Sequence, residues 1–327
     1  MQRILVTGGA GYVGSILVRN LLNRGNEVVC VDNLKFGGEA LIDVWGHRGF
    51  AFYKCDITDF AAVDRILDSA KLDAVVHLAA IVGDPACKQD PQQATKTNWD
   101  GAVHLLEQSM SKKIPRFVFA STCSNYGKMS DPNGYVTEES PLSPVSLYAE
   151  LKVKFEKLLL SEIPKTRDFS PTALRFSTVY GLSPRMRFDL TVNEFTKGLA
   201  LGEELVVFGE QFWRPYCHVS DFSRAIQAIL DAPKEKIAYE VFNVGETSEN
   251  YTKQMIVDEI RKQIPAASVK YVKKSEDPRD YRVDFSKIKR VLGFGVTKRV
   301  PDGVREVREI IQFGVIGEPG NRRYYNS

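Results

Sequence analysis

The 327-residue sequence contains few histidines and cysteines, and their scarcity excludes several kinds of site. The four histidines show no HExxH spacing, and the five cysteines are widely separated without a CxxC pair. These patterns argue against a metal site, and an odd number of scattered cysteines argues against a disulfide framework. We therefore predict no bound metal and reduced thiols.

An excess of charge of one sign is also missing. The 44 Lys and Arg residues against 41 Asp and Glu residues leave a formal charge of +3, without a block of like charges. We therefore predict no nucleic-acid partner and no membrane partner. The longest apolar stretch, residues 74–83, is far shorter than the roughly 20 residues of a membrane span, and the start of the sequence lacks a secretory signal pattern. A cytoplasmic protein is expected.

Short apolar runs alternate with helix-length segments in the first part of the sequence, as is typical of a parallel sheet with crossover helices. The first helix is predicted at 15–24, and strands are predicted at 3–6, 27–31, 50–54, 74–78, 117–120 and 172–176. Shorter elements follow, with strands at 206–208 and 241–244 and a helix at 218–230. Such strands are expected to be covered on both faces.

This pattern predicts an α/β fold, a Rossmann-type doubly wound parallel sheet with a smaller C-terminal α/β substrate-binding lobe. The first domain is predicted at 1–177, with a returning segment at about 216–245. The smaller lobe is predicted at 178–215 and 246–327. Residues 317–327 lack apolar periodicity and are interpreted as a loosely attached tail.

A glycine-rich run, residues 7–14 (TGGAGYVG), follows the first predicted strand and opens into the first predicted helix. Glycine permits a tight turn and close approach to a pyrophosphate, and a helix N-terminus attracts anions. Asp32 ends the second predicted strand, where a carboxylate can accept hydrogen bonds from an adenosine ribose and repels a 2′-phosphate. These features favour NAD as the cofactor, while the nearby Lys35 leaves NADP open.

Tyr148 and Lys152 lie four residues apart at the start of a predicted helix, so their side chains share one face. A cation beside a phenol lowers the phenol's pKa from about 10 and makes it a better general base. Ser121 and Thr122 end a predicted strand at the carboxyl edge of the sheet, where ligands of such folds bind. Tyr148 and Lys152 alone would also fit a solvated helix face. The hypothesis of a catalytic site therefore depends on this pair together with the glycine-rich run and the hydroxyls at the strand end.

With these motifs, the sequence resembles the extended short-chain dehydrogenase/reductases that act on nucleotide sugars, and the resemblance covers nearly the whole chain. Asp56-Ile57 resembles the adenine-contacting pair, residues 77–80 (HLAA) the strand end under the dinucleotide, and Asn98 a structural asparagine. Phe176 corresponds to the residue beside the nicotinamide. The cofactor residues implied by the resemblance are Gly8, Gly11, Tyr12, Val13, Gly14, Asp32, Asn33, Asp56, Ile57, Leu78, Ala79, Ala80, Asn98, Ser121, Tyr148, Lys152 and Phe176.

The resemblance implies hydride transfer between NAD and C4 of a nucleotide-diphosphate sugar through a 4-keto intermediate. Tyr148 would take the O4 proton, Lys152 would hold the nicotinamide ribose, and Thr122 would bond the substrate hydroxyl. Returning the hydride to the other face makes a 4-epimerase, and releasing the ketone makes a 4-dehydrogenase. An NAD(P)-dependent enzyme of a non-nucleotide alcohol and a non-catalytic dinucleotide-sensing regulator stay open as alternatives.

One departure from the family pattern disfavours a 4,6-dehydratase. Those enzymes carry Thr-Asp-Glu where this chain has Thr122-Cys123-Ser124, and neither replacement readily performs the carboxyl acid–base chemistry of water elimination. Cys123 could act as a weak acid near the sugar or could simply pack at the strand end.

Further likenesses concern the substrate. Residues 81–88 and 183–190 resemble a narrower branch that includes 4-dehydrogenases of nucleotide-activated heptoses, which would place Asp84, Cys87, Arg185 and Arg187 in the sugar pocket; the two arginines also fit a solvated loop. Thr178 stands where epimerases often have asparagine. The substrate residues implied by the resemblance are Asp84, Thr122, Cys123, Thr178, Arg185, Arg187, Asp189, Leu190, Phe208, Arg214, Tyr216 and Arg279.

The resemblance also implies a homodimer. In the family, the counterparts of helices 91–109 and 148–160 pack across a two-fold axis as a four-helix bundle. Exposed faces of these helices would equally fit a monomer in water.

Overall fold

The computed structural model describes residues 1–69, 71–129, 131, 134–273, 277 and 279–326. The strands in these ranges are β1 (Arg3–Thr7), β2 (Glu27–Asp32), β3 (Phe50–Lys54), β4 (Ala74–His77), β5 (Arg116–Thr122), β6 (Ser170–Phe176), β7 (Thr178–Tyr180), β8 (Leu205–Phe208), β9 (Trp213–His218), β10 (Glu240–Val244), β11 (Asn250–Thr252) and β12 (Val269–Val272).

The α-helices in the same ranges are α1 (Gly14–Asn23), α2 (Phe60–Asp68), α3 (Asp84–Gln89), α4 (Pro91–Thr95), α5 (Ala102–Ser111), α6 (Leu147–Lys157), α7 (Thr191–Ala200), α8 (Val219–Asp231), α9 (Lys234–Ile237), α10 (Lys253–Gln263), α11 (Ser286–Leu292) and α12 (Val300–Gln312). A π-helical turn at Lys96–Gly101 joins α4 to α5. None of these helices is long and apolar enough to cross a membrane.

The central element is a seven-stranded sheet in the order β10-β6-β5-β4-β1-β2-β3. All six neighbouring pairs run parallel. Each strand predicted from the sequence between residues 3 and 176 overlaps a strand of this sheet; β3 has the predicted bounds 50–54, and only the strand predicted at 74–78 extends beyond its observed element, by one residue past β4. The predicted Rossmann-type parallel sheet is confirmed.

Both faces of this sheet are buried, because alternate residues of a strand point to opposite sides. In β1, Ile4 and Val6 belong to a core that includes residues of α1, α8 and α11. Leu5 belongs to a second core with residues of α2, α5 and α6. Two covered faces explain why these strands appear in the sequence as nearly continuous apolar runs.

A smaller lobe surrounds two further sheets. One has the order β11-β9-β7, and the other pairs β12 with β8. Its core includes Val192 of α7, Ile256 of α10 and Val304 of α12. β7 begins one residue after the boundary predicted at 177, and β10 lies inside the predicted returning segment at 216–245. The domain boundaries themselves stay a prediction.

The end of the sequence differs from the loosely attached tail that we expected. Phe188 N donates to Tyr324 O at 2.9 Å, and the rings of these two residues lie 5.5 Å apart. Asn326 N donates to Asp189 Oδ2 at 3.0 Å. These contacts are formed by tertiary packing, which periodicity within the segment cannot indicate. Ser327 of the predicted tail lies outside the described residues.

Candidate active site

The turn after β1 requires glycine because it passes against neighbouring backbone. Gly8 has a φ of +74°, and a Cβ on it would lie 2.8 Å from the backbone nitrogen of Ala79. At Gly14, where α1 begins, a Cβ would overlap the carbonyl oxygen of Gly8. The N-terminus of α1 is thereby held at the carboxyl edge of the sheet, the position in which a helix can face a pyrophosphate.

The carboxylate at the end of β2 is oriented by backbone donors. Ala10 N and Leu34 N donate to the two oxygens of Asp32 at 3.0 and 2.8 Å. Burial raises the pKa of Asp32, and these hydrogen bonds oppose that rise. Asn33 Nδ2 donates to Asp56 Oδ2 at 2.8 Å. The residues predicted to hold the adenosine half of NAD therefore lie on adjoining loops after β2 and β3.

Asn98 supports the loop after β4 that forms part of the cleft wall. Its side chain accepts from Ile81 N at 2.8 Å and donates to Ile81 O at 2.9 Å. It is buried and lies outside the cleft wall, so the predicted direct cofactor contact needs correction. Asn98 instead fixes the loop after β4, which carries Leu78, Ala79 and Ala80.

The predicted catalytic residues come from two neighbouring elements. Ser146 caps α6 by accepting from Ala149 N at 3.3 Å, and Tyr148 and Lys152 follow on that helix. Lys152 Nζ donates to Ala120 O of β5 at 2.7 Å and lies 5.9 Å from the centre of the Tyr148 ring. Thr122 ends β5 and also lines the cleft.

Burial dominates the ionisation of this pair. Removal of the ammonium from water lowers the pKa of Lys152 to about 7. Burial also raises the pKa of Tyr148, and nearby Cys87 and Asp84 raise it further. The expected lowering of the phenol pKa by the lysine is therefore wrong for the protein alone, because two partly or fully desolvated groups each favour their neutral form.

Sequence reasoning missed Glu156, which lies four residues after Lys152 on α6. Glu156 accepts from Ser121 Oγ at 2.8 Å and forms a buried ion pair with Arg175 of β6. The i, i+4, i+8 spacing of Tyr148, Lys152 and Glu156 was the available signal, since it places all three on one helical face. The ion pair joins α6 to the two strands beneath the cleft.

On the other side of the cleft, two arginines are paired with carboxylates. Arg214 contacts Asp277 at 2.9 Å, and Arg279 contacts Asp84 at 2.9 Å. Although burial opposes the change, Arg214 lowers the pKa of Asp277. Asp277 was not predicted, although it lies only two residues before Arg279.

The segment after β7 carries two buried arginines, so the interpretation of a solvated loop is wrong. Arg187 donates from Nε and Nη2 to the two oxygens of Asp189 at 2.9 and 2.8 Å. The Arg185 guanidinium instead lies 4.2 Å from the centre of the Phe36 ring. Its Nε and Nη2 have no hydrogen-bond partner in the described part of the chain.

One cleft of about 720 Å³ brings these groups together. The predicted residues that line it are Gly8, Gly11, Tyr12, Val13, Gly14, Asp32, Asn33, Asp56, Ile57, Leu78, Ala79, Ala80, Asp84, Ser121, Thr122, Tyr148, Lys152, Phe176, Thr178, Arg185, Arg187, Asp189, Leu190, Arg214, Tyr216 and Arg279. Lining residues that sequence reasoning missed include Phe36, Lys253, Asp277, Tyr281 and Asn326.

Cys87, which the resemblance placed in the sugar pocket, is buried outside the cleft wall, and its Sγ donates to Ile81 O at 3.4 Å. Two further residues predicted to contact substrate also lie elsewhere. Cys123 is buried, and its Sγ donates to Arg175 O at 3.2 Å, so it packs beneath the cleft. Phe208 is 54% exposed at the end of β8 and is not part of the cleft wall. Both corrections have the same cause, because a position in a family pattern does not specify the direction of the side chain.

The comparisons with known proteins agree with this geometry. The model of the NAD-dependent epimerase/dehydratase family matches residues 4–245. The dTDP-glucose 4,6-dehydratase of Streptomyces niveus is 32% identical over 321 residues, covering 94% of this chain and 92% of that protein. The UDP-glucuronate 4-epimerase of Thermodesulfobacterium geofontis is 29% identical over 315 residues, covering 93% of this chain and 94% of that protein.

Among solved structures, the UDP-glucuronic acid 4-epimerase of Bacillus cereus, in complex with UDP-glucuronic acid and NAD, matches with a TM-score of 0.84. It is 28% identical, and the match covers 95% of this chain and 99% of that one. The tight glycine turn at the N-terminus of α1 and the backbone-oriented carboxylate of Asp32 fit NAD as the cofactor. This chain belongs to the NAD-dependent epimerase/dehydratase family and is an NAD-dependent enzyme of the extended short-chain dehydrogenase/reductase type.

Proposed function

We propose that this enzyme oxidises C4 of a nucleotide-diphosphate sugar and then reduces the 4-keto intermediate on its other face, as a sugar 4-epimerase. The observation that carries the proposal is a single cleft whose lining includes Tyr148, Lys152 and Thr122, a dinucleotide turn, and the arginines Arg214 and Arg279. The relatives with 4-epimerase names support it.

In the proposed reaction, the sugar's C4 hydroxyl lies beside Tyr148 and Thr122. Tyr148 takes the O4 proton as general base, and the Thr122 hydroxyl orients the same substrate oxygen. Lys152 holds the nicotinamide ribose and stabilises the phenolate. Bound NAD supplies the hydride acceptor and, through its positive charge, favours ionisation of Tyr148.

The proposed diphosphate contacts are Arg214 and Arg279. A guanidinium can engage two phosphate oxygens at once, which suits a diphosphate better than a single neutral hydroxyl. Their pairing with Asp277 and Asp84 keeps both side chains at the cleft before substrate binds. The presence of the two arginines in the cleft also argues against a substrate without phosphate.

A 4,6-dehydratase is less well supported, although the Streptomyces niveus relative has that name. Water elimination needs an acid and a base beside the sugar. Here the residues after Thr122 are Cys123, which is buried away from the cleft, and Ser124. Neither supplies a carboxyl group.

We also propose a cytoplasmic homodimer that serves carbohydrate biosynthesis. Nucleotide sugars are the activated donors from which such biosynthesis proceeds. The near-neutral charge balance gives no indication of a membrane or nucleic-acid partner. Half-buried apolar residues on the outer helices, including Trp99, Val103 and Val153, supply a candidate face for a second copy.

The deciding experiment mixes purified protein and NAD with a panel of nucleotide sugars and follows reduced-nicotinamide absorbance and product stereochemistry. A 4-epimer without net NADH supports the proposal. Stoichiometric NADH with a released ketone would replace it by a 4-dehydrogenase. Turnover of simple alcohols alone, or NAD binding without any turnover, would favour one of the two alternatives from other classes.

A further inference from the structure

Arg185 combines burial with unused hydrogen-bonding capacity. The residue is 6% exposed, and its Nε and Nη2 find no partner among the described residues. Burial of hydrogen-bond donors without acceptors costs free energy, and the cost is larger for a charged group than for a neutral one. A bound ligand that accepts hydrogen bonds from these two nitrogens would remove this cost.

The unused donors form one edge of the guanidinium. Arg187, two residues away, uses the same two nitrogens to hold both oxygens of Asp189. In Arg185 this edge is buried without an acceptor among the described residues, in a side chain that lines the cleft, so its natural partner is a planar or branched oxyanion with two acceptor oxygens. A phosphate has this form, whereas a single sugar hydroxyl does not.

The surroundings of Arg185 belong to the dinucleotide half of the cleft. Its guanidinium stacks on Phe36, which lies in the loop after β2, four residues beyond Asp32. Ser183, two residues before Arg185, donates to Tyr12 O at 2.7 Å and lies 3.1 Å from Ser15 Oγ. The chain that carries Arg185 is therefore fastened directly to the glycine turn and the first turn of α1.

We propose that Arg185 binds the diphosphate of NAD through Nε and Nη2, opposite the glycine turn, and is not a sugar-pocket residue. The smaller lobe thereby contributes a residue to the cofactor site. The contact with the Phe36 ring holds the Arg185 guanidinium in this position.

Two other phosphates could compete for this arginine. A 2′-phosphate of NADP would lie beside Asp32, whose carboxylate repels it. The diphosphate of the nucleotide sugar has its own proposed partners in Arg214 and Arg279, which are held at the cleft by Asp277 and Asp84. The NAD diphosphate is the phosphate group that this fold binds at the N-terminus of the first helix, to which the segment carrying Arg185 is bonded.

The test is a set of calorimetric titrations of nucleotide-free protein with NAD, NADP, adenosine and UDP. We expect Arg185→Gln to raise the Kd for NAD about 10- to 100-fold, since a hydrogen-bonded charge contact is lost. Adenosine, which lacks phosphate, and UDP should bind as in the unmodified protein. Phe36→Leu should mainly accelerate NAD dissociation, measured by displacement in stopped flow.

Two further variants keep the test decisive. Arg24→Gln removes one exposed positive charge elsewhere and should leave the Kd for NAD unchanged. Arg185→Lys keeps the charge but loses the two-donor edge, so it should give an intermediate Kd even if Arg185→Gln folds poorly. An NAD Kd within twofold of the unmodified protein in both Arg185 variants would overturn the proposal. So would a loss confined to UDP or to NADP.

Discussion

Lys152 is buried, which is unusual for a lysine side chain. The residue is 4% exposed, and its ammonium donates to Ala120 O at 2.7 Å and lies 4.5 Å from the centre of the Phe119 ring. A buried cation beside an aromatic ring and a single carbonyl is poorly compensated for its lost hydration. Its retention at this place is consistent with a role in binding NAD rather than in stability.

We expect Lys152→Met to stabilise the fold and to weaken NAD binding. Burial lowers the Lys152 pKa from its usual 10.5 to about 7, so below about pH 7 the folded protein carries the full cost of a buried charge. As the pH rises from about 7 towards 10.5, the unfolded chain binds more protons and the stability of the unmodified protein rises. The variant should therefore gain on the order of 2 kcal/mol at about pH 6 and much less at about pH 9.

Thermal unfolding at the two pH values measures this difference. Lys157→Met changes an exposed lysine of the same helix and should show no such pH dependence. A Lys152→Met variant that is less stable than the unmodified protein at about pH 6 would contradict the argument.

Tyr148→Phe tests the proposed base directly. Loss of the hydroxyl should lower kcat by about 10²- to 10⁴-fold, the range typical of a general base, while the Kd for NAD stays unchanged. Stopped assays of the nucleotide sugar identified by the panel give kcat, and calorimetry gives the Kd. Tyr135→Phe, at a 46% exposed tyrosine, is the matched control. Retained turnover in Tyr148→Phe would refute the assignment.

Among the elements, α6 depends on an ion pair as well as on apolar packing. Glu156 and Arg175 are each 4% exposed, and Arg175 Nη1 also donates to Tyr126 OH at 2.9 Å. Through Ser121, the same carboxylate reaches the cleft wall. The helix that presents Tyr148 and Lys152 is thus held to β5 and β6 by a charged network beneath the site.

We expect Glu156→Ala to lower the free energy of unfolding by about 3–5 kcal/mol, because it leaves the buried Arg175 charge unpaired. Urea denaturation measures the loss. Asp68→Ala, which breaks the surface pair with Lys112, should cost less than about 1 kcal/mol. Replacing Glu156 and Arg175 together by Leu and Met should recover part of the loss, and no recovery would mean that packing rather than charge was responsible.

The segment 321–326 is a second element with an unexpected position. It packs on residues 186–190, and Asn326 lines the cleft beside Asp189. Since Asp189 in turn holds Arg187, the segment supports one wall of the proposed substrate half.

A chain that stops at Gly320 should therefore have a KM for the nucleotide sugar raised on the order of tenfold, because Asp189 and Arg187 lose their support. Steady-state kinetics of the active nucleotide sugar measures the change. Arg322→Ala, an exposed change within the same segment, should leave KM unaffected. An unaltered KM in the shortened chain would show that the segment is only packed against the wall.

At the scale of the whole molecule, the two lobes are joined by the cleft. Tyr12 of the glycine turn donates to Gly181 O at 2.5 Å, and Asn193 Nδ2 of α7 donates to Tyr12 OH at 3.0 Å. Asp84 and Arg279 make a comparable link across 195 positions of the sequence. Cofactor and proposed substrate residues are therefore parts of one connected surface.

The proposed homodimer predicts a solution mass of twice 36.7 kDa by light scattering. Val153→Glu, on the outer face of α6, should reduce it to the mass of one chain, because a charge in an apolar interface loses hydration without a partner. Ile42→Glu, at a residue 70% exposed on another part of the surface, should leave the mass of the pair intact. A single-chain mass for the unmodified protein would rule out the dimer.

Much of the fold was predictable from local patterns, and most of the residues that line the cleft were predictable from these patterns together with the family resemblance. The strands, the glycine turn and the Tyr148–Lys152 spacing depend on residues close together in the sequence. The pKa values, the Glu156–Arg175 pair and the direction of Cys123 were not predictable, because each depends on which distant side chains and how much water surround the group. The docking of Asn326 belongs to the same class.

The sequence by itself determined the parallel sheet, the dinucleotide turn and the identity of the reactive residues, since period, glycine geometry and residue chemistry act over a few positions. Only the tertiary structure decided the state of those residues. Folding desolvates Lys152, pairs Arg187 with Asp189, leaves two buried nitrogens of Arg185 without an acceptor among the described residues, and places the smaller lobe against the glycine turn. Burial and long-range pairing are properties of the packed chain, so they set the charge and the direction of groups whose identity the sequence already specified.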